Sequence, residues 1–173
     1  TYSSETSFDG EGAITSAIDY VVSDEHPQLY ILQGHGESDL PENFSDQIKK
    51  ENMETNTFSL LNEDSVPEDA DVVLIYAPTS DISDEEKDIL SDYTKNGGKL
   101  MVVAGPVESG SLTNLYSLLE EYNIETQEGV VIEGDRDHYA FQAPYMLMPD
   151  MSSNAITDPL IDEKYYVLMP VAQ

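Results

Sequence analysis

Residues 72–104 read VVLIYAPTSDISDEEKDILSDYTKNGGKLMVVA. Two continuous apolar runs, Val72–Ala77 and Leu100–Ala104, bracket a segment that opens with Ser83 and Glu86 in capping-box spacing. The same segment carries Ile89, Leu90 and Tyr93 on one helical face and stops at Gly97-Gly98. Uninterrupted apolar runs of this length predict strands covered on both faces. The Ser-x-x-Glu pair predicts a helix start, because each side chain satisfies a backbone N–H at the other's position, and the glycine pair predicts its end. Strand, helix, strand at this spacing predicts a βαβ unit and a parallel sheet.

The pattern extends on both sides. Upstream, Leu29–Gln33 (LYILQ) predicts a buried strand closing into a tight turn at Gly34 and Gly36. Pro41 is expected to open a helix carrying Phe44 and Ile48, and Thr55–Leu60 alternates loosely, as a half-buried edge strand does. Before these, Ile14, Ala17, Ile18 and Val21 recur at i, i+3, i+4 and i+7, which predicts an amphipathic helix ended by His26-Pro27. Downstream, a helix is expected to carry Leu112, Leu115, Tyr116, Leu119 and Tyr122, and Val130–Ile132 to form a fifth strand. Five strands with the polar second one at an edge predict an α/β flavodoxin-like parallel sheet in the order 2-1-3-4-5. Tyr145–Pro149 and Tyr165–Pro170 are extra strand-like runs near the C-terminus. One domain is expected over residues 1–173: a lead-in tail at 1–12, a βαβ core at 13–135 and a strand-rich extension at 136–173.

Composition narrows function. Thirty-five acidic residues face seven basic ones, for a net charge of −28. Such a surface repels nucleic acid and anionic lipid headgroups, and neither is expected as a direct partner. The lack of cysteine excludes disulfides, thiolate zinc sites and cysteine nucleophiles. No apolar run reaches the roughly 20 residues that cross a bilayer. The chain begins at Thr1, so an anchor or signal is expected outside it.

The best candidate site is the Gly34-His35-Gly36-Glu37 turn, at the carboxyl end of the first strand where doubly wound sheets bind ligands. His35 and Glu37 could hydrogen-bond a small polar, sugar-like molecule there, joined by Thr79 and Gly105 from the ends of the third and fourth strands. Alternatively the turn is structural: the glycines supply the reversal, and His35, exposed on it, matters less to stability than they do. Glu37, Asp39 and Glu42 crowd the expected helix start and cancel its positive end, and Arg136 is the single arginine. Flavin, nicotinamide and other cofactors are therefore not expected. No metal site is expected either. Asp135, Asp137 and His138 lack calcium-loop spacing, and Asp81, Asp84, Glu85 and Glu86 suit a helix N-terminus. A Gly-x-Ser-x-Gly elbow is missing, with only Ser109-Gly110 as an echo, so the chain is not expected to be an enzyme. Eleven tyrosines, with Tyr139, Tyr145, Tyr165 and Tyr166 gathered late in the chain, suit either packing on the sheet or an interface.

The stretches LYILQGHGE, then VPEDADVVLIYAP through GGKLMVVAGP, then LTNLYSLLEEYNIETQEGVVIEG, and finally NAITDPL resemble one known family. This is the extracytoplasmic domain of ABC-type transport system auxiliary proteins, among them gliding-motility GldG-like proteins. Ala155 stands where members often carry a His. The resemblance implies a three-layer fold similar to flavodoxin and class I glutamine amidotransferases. It also implies a place on the extracytoplasmic face of the bacterial membrane and, as partners, an ABC permease and ATPase.

Overall fold

The computed structural model describes residues 10–23, 26–105, 107–127 and 129–172. They fall into two compact units, one reaching Ala104 and including Leu112–Leu118, the other formed by Gly105–Ser111 and the chain from Leu119 on.

The first unit holds a four-stranded parallel sheet, β1 (Gln28–Leu32), β2 (Glu54–Phe58), β3 (Val72–Tyr76) and β4 (Lys99–Val103), in the order β2-β1-β3-β4. The three apolar runs are adjacent parallel strands and the polar run lies at the edge beside the first, as the flavodoxin-like reading requires. Val73, Leu74 and Ile75 are fully buried. Because successive side chains of a strand point to opposite faces, three in a row mean that both faces of β3 are covered. One face is filled by Leu29, Ile31, Leu74 and Ile48, with Leu40, Phe44 and Met53 packed around them. Ile48 comes from α2 (Glu42–Lys50), which starts after Pro41 as expected.

α3 (Asp84–Lys95) follows β3 and lies against β4. Its Ser83–Glu86 capping box is complete, with both reciprocal hydrogen bonds present. α4 (Thr113–Glu120) buries Leu115 and Leu118. Its inward stripe is Leu112, Leu115 and Leu118, while Tyr122 is exposed. At its start Asp81 reaches across, accepting from the backbone N–H of Asn114 at 2.8 Å and of Leu115 at 3.1 Å.

Three expectations are corrected. Val130–Ile132 is irregular and exposed, so the described sheet has four strands. Three apolar residues among Gly, Glu and Gln are too few to hold a strand register. Among the described residues β4 therefore has no second neighbour, and Met101 and Val103 are exposed rather than doubly covered. α1 (Gly10–Val22) begins inside the expected tail, and it buries none of its residues. Its apolar stripe points outward. Residues 1–9 of the tail lie outside the described residues.

The second unit contains a 3-10 turn at Arg136–His138, α5 (Asp158–Asp162) and a short antiparallel pair, β5 (Met146–Leu147) with β6 (Met169–Pro170). The pair lies within the two late runs read as strands. No described residue from Leu119 on is buried, and Phe141, Ile156 and Tyr166 are among its most exposed side chains.

Candidate functional site

The turn after β1 is built by two glycines in the left-handed region, Gly34 at φ 124° and Gly36 at φ 72°. A Cβ at Gly36 would collide with Thr79 Oγ1, and one at Gly34 would come within 2.7 Å of Leu61. Only glycine suits both positions, on conformation and on space. The carbonyl of His35 then accepts from the backbone N–H of Thr79 and of Ser80, each at 2.9 Å. The Thr79 hydroxyl adds longer bonds to His35 O and Gly36 O. The loop leaving β3 is thus tied to the turn leaving β1.

The His35 side chain is buried, correcting the expectation of an exposed turn histidine; 3% of the residue is accessible. Its Nδ1 lies 3.1 Å from Glu37 Oε1, and its Nε2 lies 3.2 Å from Glu86 Oε2. Glu37 is anchored in turn, its Oε2 accepting from the backbone N–H of Gly34 at 3.0 Å and of His35 at 2.8 Å. It therefore folds back on the turn and does not load the start of α2. Glu86 accepts from Ser83 N at 2.8 Å, and its Oε1, 3.1 Å from His35 Nε2, is buried without a directed hydrogen bond. The side chains of Glu37 and Glu86 are almost wholly buried with the ring between them.

The electrostatics follow from this geometry. A carboxylate only accepts, so a ring facing one on each nitrogen must donate from both. Both carboxylates favour the imidazolium form of His35, in which the triad carries one net negative charge. The Glu37 hydrogen bond is the largest influence raising the His35 pKa above its usual value, and both carboxylates outweigh the opposing effect of burial. Burial pushes Glu37 and Glu86 upward. The hydrogen bonds from the His35 ring and nearby backbone, including Ser83 N–H, overcome it and leave both carboxyls below their usual range.

A doubly protonated ring has no lone pair, so it is neither a general base nor a metal ligand. Three of the four expected site residues, His35, Glu37 and Thr79, are brought together, and all three bond to the protein itself. Gly105 belongs to the second unit. Glu86, missed as a partner, is the residue that completes the site. Its only signal in the sequence was the capping box, which accounts for one of its carboxylate's two roles.

Elsewhere, a cavity of about 680 Å³ is lined by Val66, Pro67, Asp71, Tyr93 and Lys99 among others. It lies at the amino ends of β3 and β4, opposite the end where doubly wound sheets place ligands. In the second unit His138 stands 3.6 Å from Asp135 and 3.4 Å from Asp150. Among the described residues no three His, Asp or Glu side chains gather as a metal would need. No described helix is long and apolar enough to cross a membrane.

The four-stranded parallel sheet, flanked by helices and closed at its switch point by an ion triad, places the chain among flavodoxin-like α/β domains. Residues 26–146 match the family model described as ABC-type uncharacterized transport system. The chain belongs to that family, an auxiliary component of an ABC-type transport system. No curated protein and no solved structure matches it.

Proposed function

We propose that this chain is a non-catalytic interaction domain on the extracytoplasmic face of the bacterial cell membrane, associating with the permease and ATPase of its transport system. The observation that carries the reading is the closed triad. The crevice at the carboxyl ends of β1 and β3 is where this fold offers ligands its polar groups. Here those groups are spent on each other: the His35 ring on Glu37 and Glu86, the His35 carbonyl on Thr79 and Ser80. The family supports association with an ABC-type transport system, and the sequence resemblance to GldG-like proteins implies the location and the partners. The charge of −28 supports a role away from anionic lipid.

The test is affinity purification of the full-length protein from its own membranes in mild detergent. Permease and ATPase should elute with it in fixed proportion, and a protease added to intact spheroplasts should cut this domain. Elution of the protein alone, or protection from the protease, would overturn the proposal. The competing reading, a sugar-like ligand held by His35, Glu37, Thr79 and Gly105, would gain from saturable calorimetric binding of a monosaccharide that Thr79→Val abolishes.

A further inference from the structure

α1 is an amphipathic helix mounted the wrong way round. Its apolar stripe of Ile14, Ile18 and Val21 is 63, 57 and 78% exposed, and neighbouring Val22 is 73% exposed. Its polar side faces the domain. Ser16 Oγ donates to Lys50 O at 2.6 Å and to Asn52 Oδ1 at 3.0 Å. Asn52 Nδ2 returns bonds to Ser16 O at 3.0 Å and Asp19 Oδ2 at 3.1 Å. Asn52 itself sits in the left-handed region at the end of α2, at φ 55°. Three hydrogen bonds to one fixed asparagine and a fourth to Lys50 O set the helix's rotation about its axis, and that rotation presents the apolar stripe to solvent.

We propose that this stripe is the docking surface for an apolar helix face flanked by Lys or Arg on another subunit of the transport system. The inference rests on the reading of the chain as an interaction domain and names the surface. Thirteen helical residues span about 20 Å, and apolar anchors at i, i+4 and i+7 are the pattern by which one helix beds against another. Charge selects among occupants. A second copy would bring another −28 against this one and set Glu11 and Asp19 opposite their own mates. A helix that lies in a membrane surface carries Lys and Arg on its polar face, whereas α1 has no Lys or Arg, carries Glu11 in its first turn, and its polar face is bonded to α2 through Ser16 and Asp19. A basic-flanked partner helix covers the stripe and complements Glu11 and the net charge of −28.

The test substitutes Ile14→Ser, Ile18→Ser and Val21→Ser together in the full-length protein. These side chains are exposed, so circular dichroism and the unfolding midpoint should match wild type. Recovery of permease and ATPase from native membranes should fall at least about tenfold. In parallel, the domain is titrated with two synthetic helical peptides sharing one leucine stripe, one flanked by Lys and one by Glu. The Lys peptide should bind, weaken with added salt and lose at least about tenfold in affinity to the triple variant. Full recovery by the triple variant overturns the proposal, as does equal binding of both peptides or of neither. Concentration-dependent dimerisation, or flotation with phosphatidylcholine vesicles, that the triple variant abolishes would also overturn it by naming another occupant. If wild type recovers no permease or ATPase, the interaction-domain reading fails, and the peptide titration decides the stripe separately.

Discussion

His35→Ala removes the only cation between two buried carboxylates. In the native protein the ring nitrogens lie 3.1 and 3.2 Å from Glu37 and Glu86, with side-chain accessibilities of 4% for the histidine, 1% for Glu37 and 5% for Glu86. Removing one partner of a buried pair typically costs about 3–5 kcal/mol, because the remaining charge is left without compensation. Here two like charges remain, which raises the cost. Each also keeps backbone donors, Gly34 and His35 N–H for Glu37 and Ser83 N–H for Glu86, which lowers it. The expected loss is therefore about 3 kcal/mol, a large share of the 5–15 kcal/mol by which most domains are stable. Urea unfolding followed by tyrosine fluorescence suits a chain with eleven Tyr and no Trp. His35→Ala should lower the midpoint strongly at neutral pH, and adding Glu86→Gln should recover part of the loss, since one orphaned charge is gone. A loss below about 1 kcal/mol would refute the buried-imidazolium account, given what breaking such a pair normally costs. Unchanged stability with lost assembly would instead make the turn a functional site.

The triad also fixes a pH window. The His35 pKa is raised, so its contribution is complete below the usual 6.5 and is lost as pH climbs through the raised folded value. Glu37 and Glu86 are lowered, so theirs is complete above the usual 4.5 and is lost as pH falls through the lowered folded values. Stability from this cluster should therefore plateau between those limits, and His35→Gln should flatten the alkaline decline in a series of urea midpoints; a decline of unchanged slope would contradict this. Asp81→Ala should cost about 1–2 kcal/mol by orphaning the first N–H groups of α4, and Asp81→Asn much less, checked by the same unfolding. Equal costs for the two would show that Asp81 acts through charge rather than capping.

The sheet was legible because burial on both faces demands uninterrupted apolar strands, and VVLIY is such a strand with a capped helix behind it. The strand order followed from one polar run, Thr55–Leu60, that suits only an edge and overlaps β2 (Glu54–Phe58). The site was half legible. Two glycines flanking a histidine announced a strained turn, but the ring's second partner lies 51 residues away in sequence and was already accounted for as a helix cap. Periodicity misled at α1 for a general reason: a 3.6-residue repeat says which face of a helix is apolar, not what lies against it. What turned that helix was a polar contact to Asn52, a residue whose positive φ no periodicity reveals.

The triad and α1 bear on each other through the use of charge. A chain with 35 acidic residues and seven basic ones has few cations to place inside. The buried position between Glu37 and Glu86 takes a histidine, whose compact ring carries two donors on opposite sides and reaches both carboxylates at once. A lysine's single nitrogen on a flexible stem lacks that geometry. Glu86 serves two elements, capping α3 through Ser83 and clamping the turn after β1 through His35. The ends of β1 and β3 are thereby held as one body. A domain whose strand ends are fixed in this way has little freedom to open a crevice there for a ligand. One uncommitted apolar surface in the first unit is the stripe on α1, and recognition through that stripe needs no movement of the sheet.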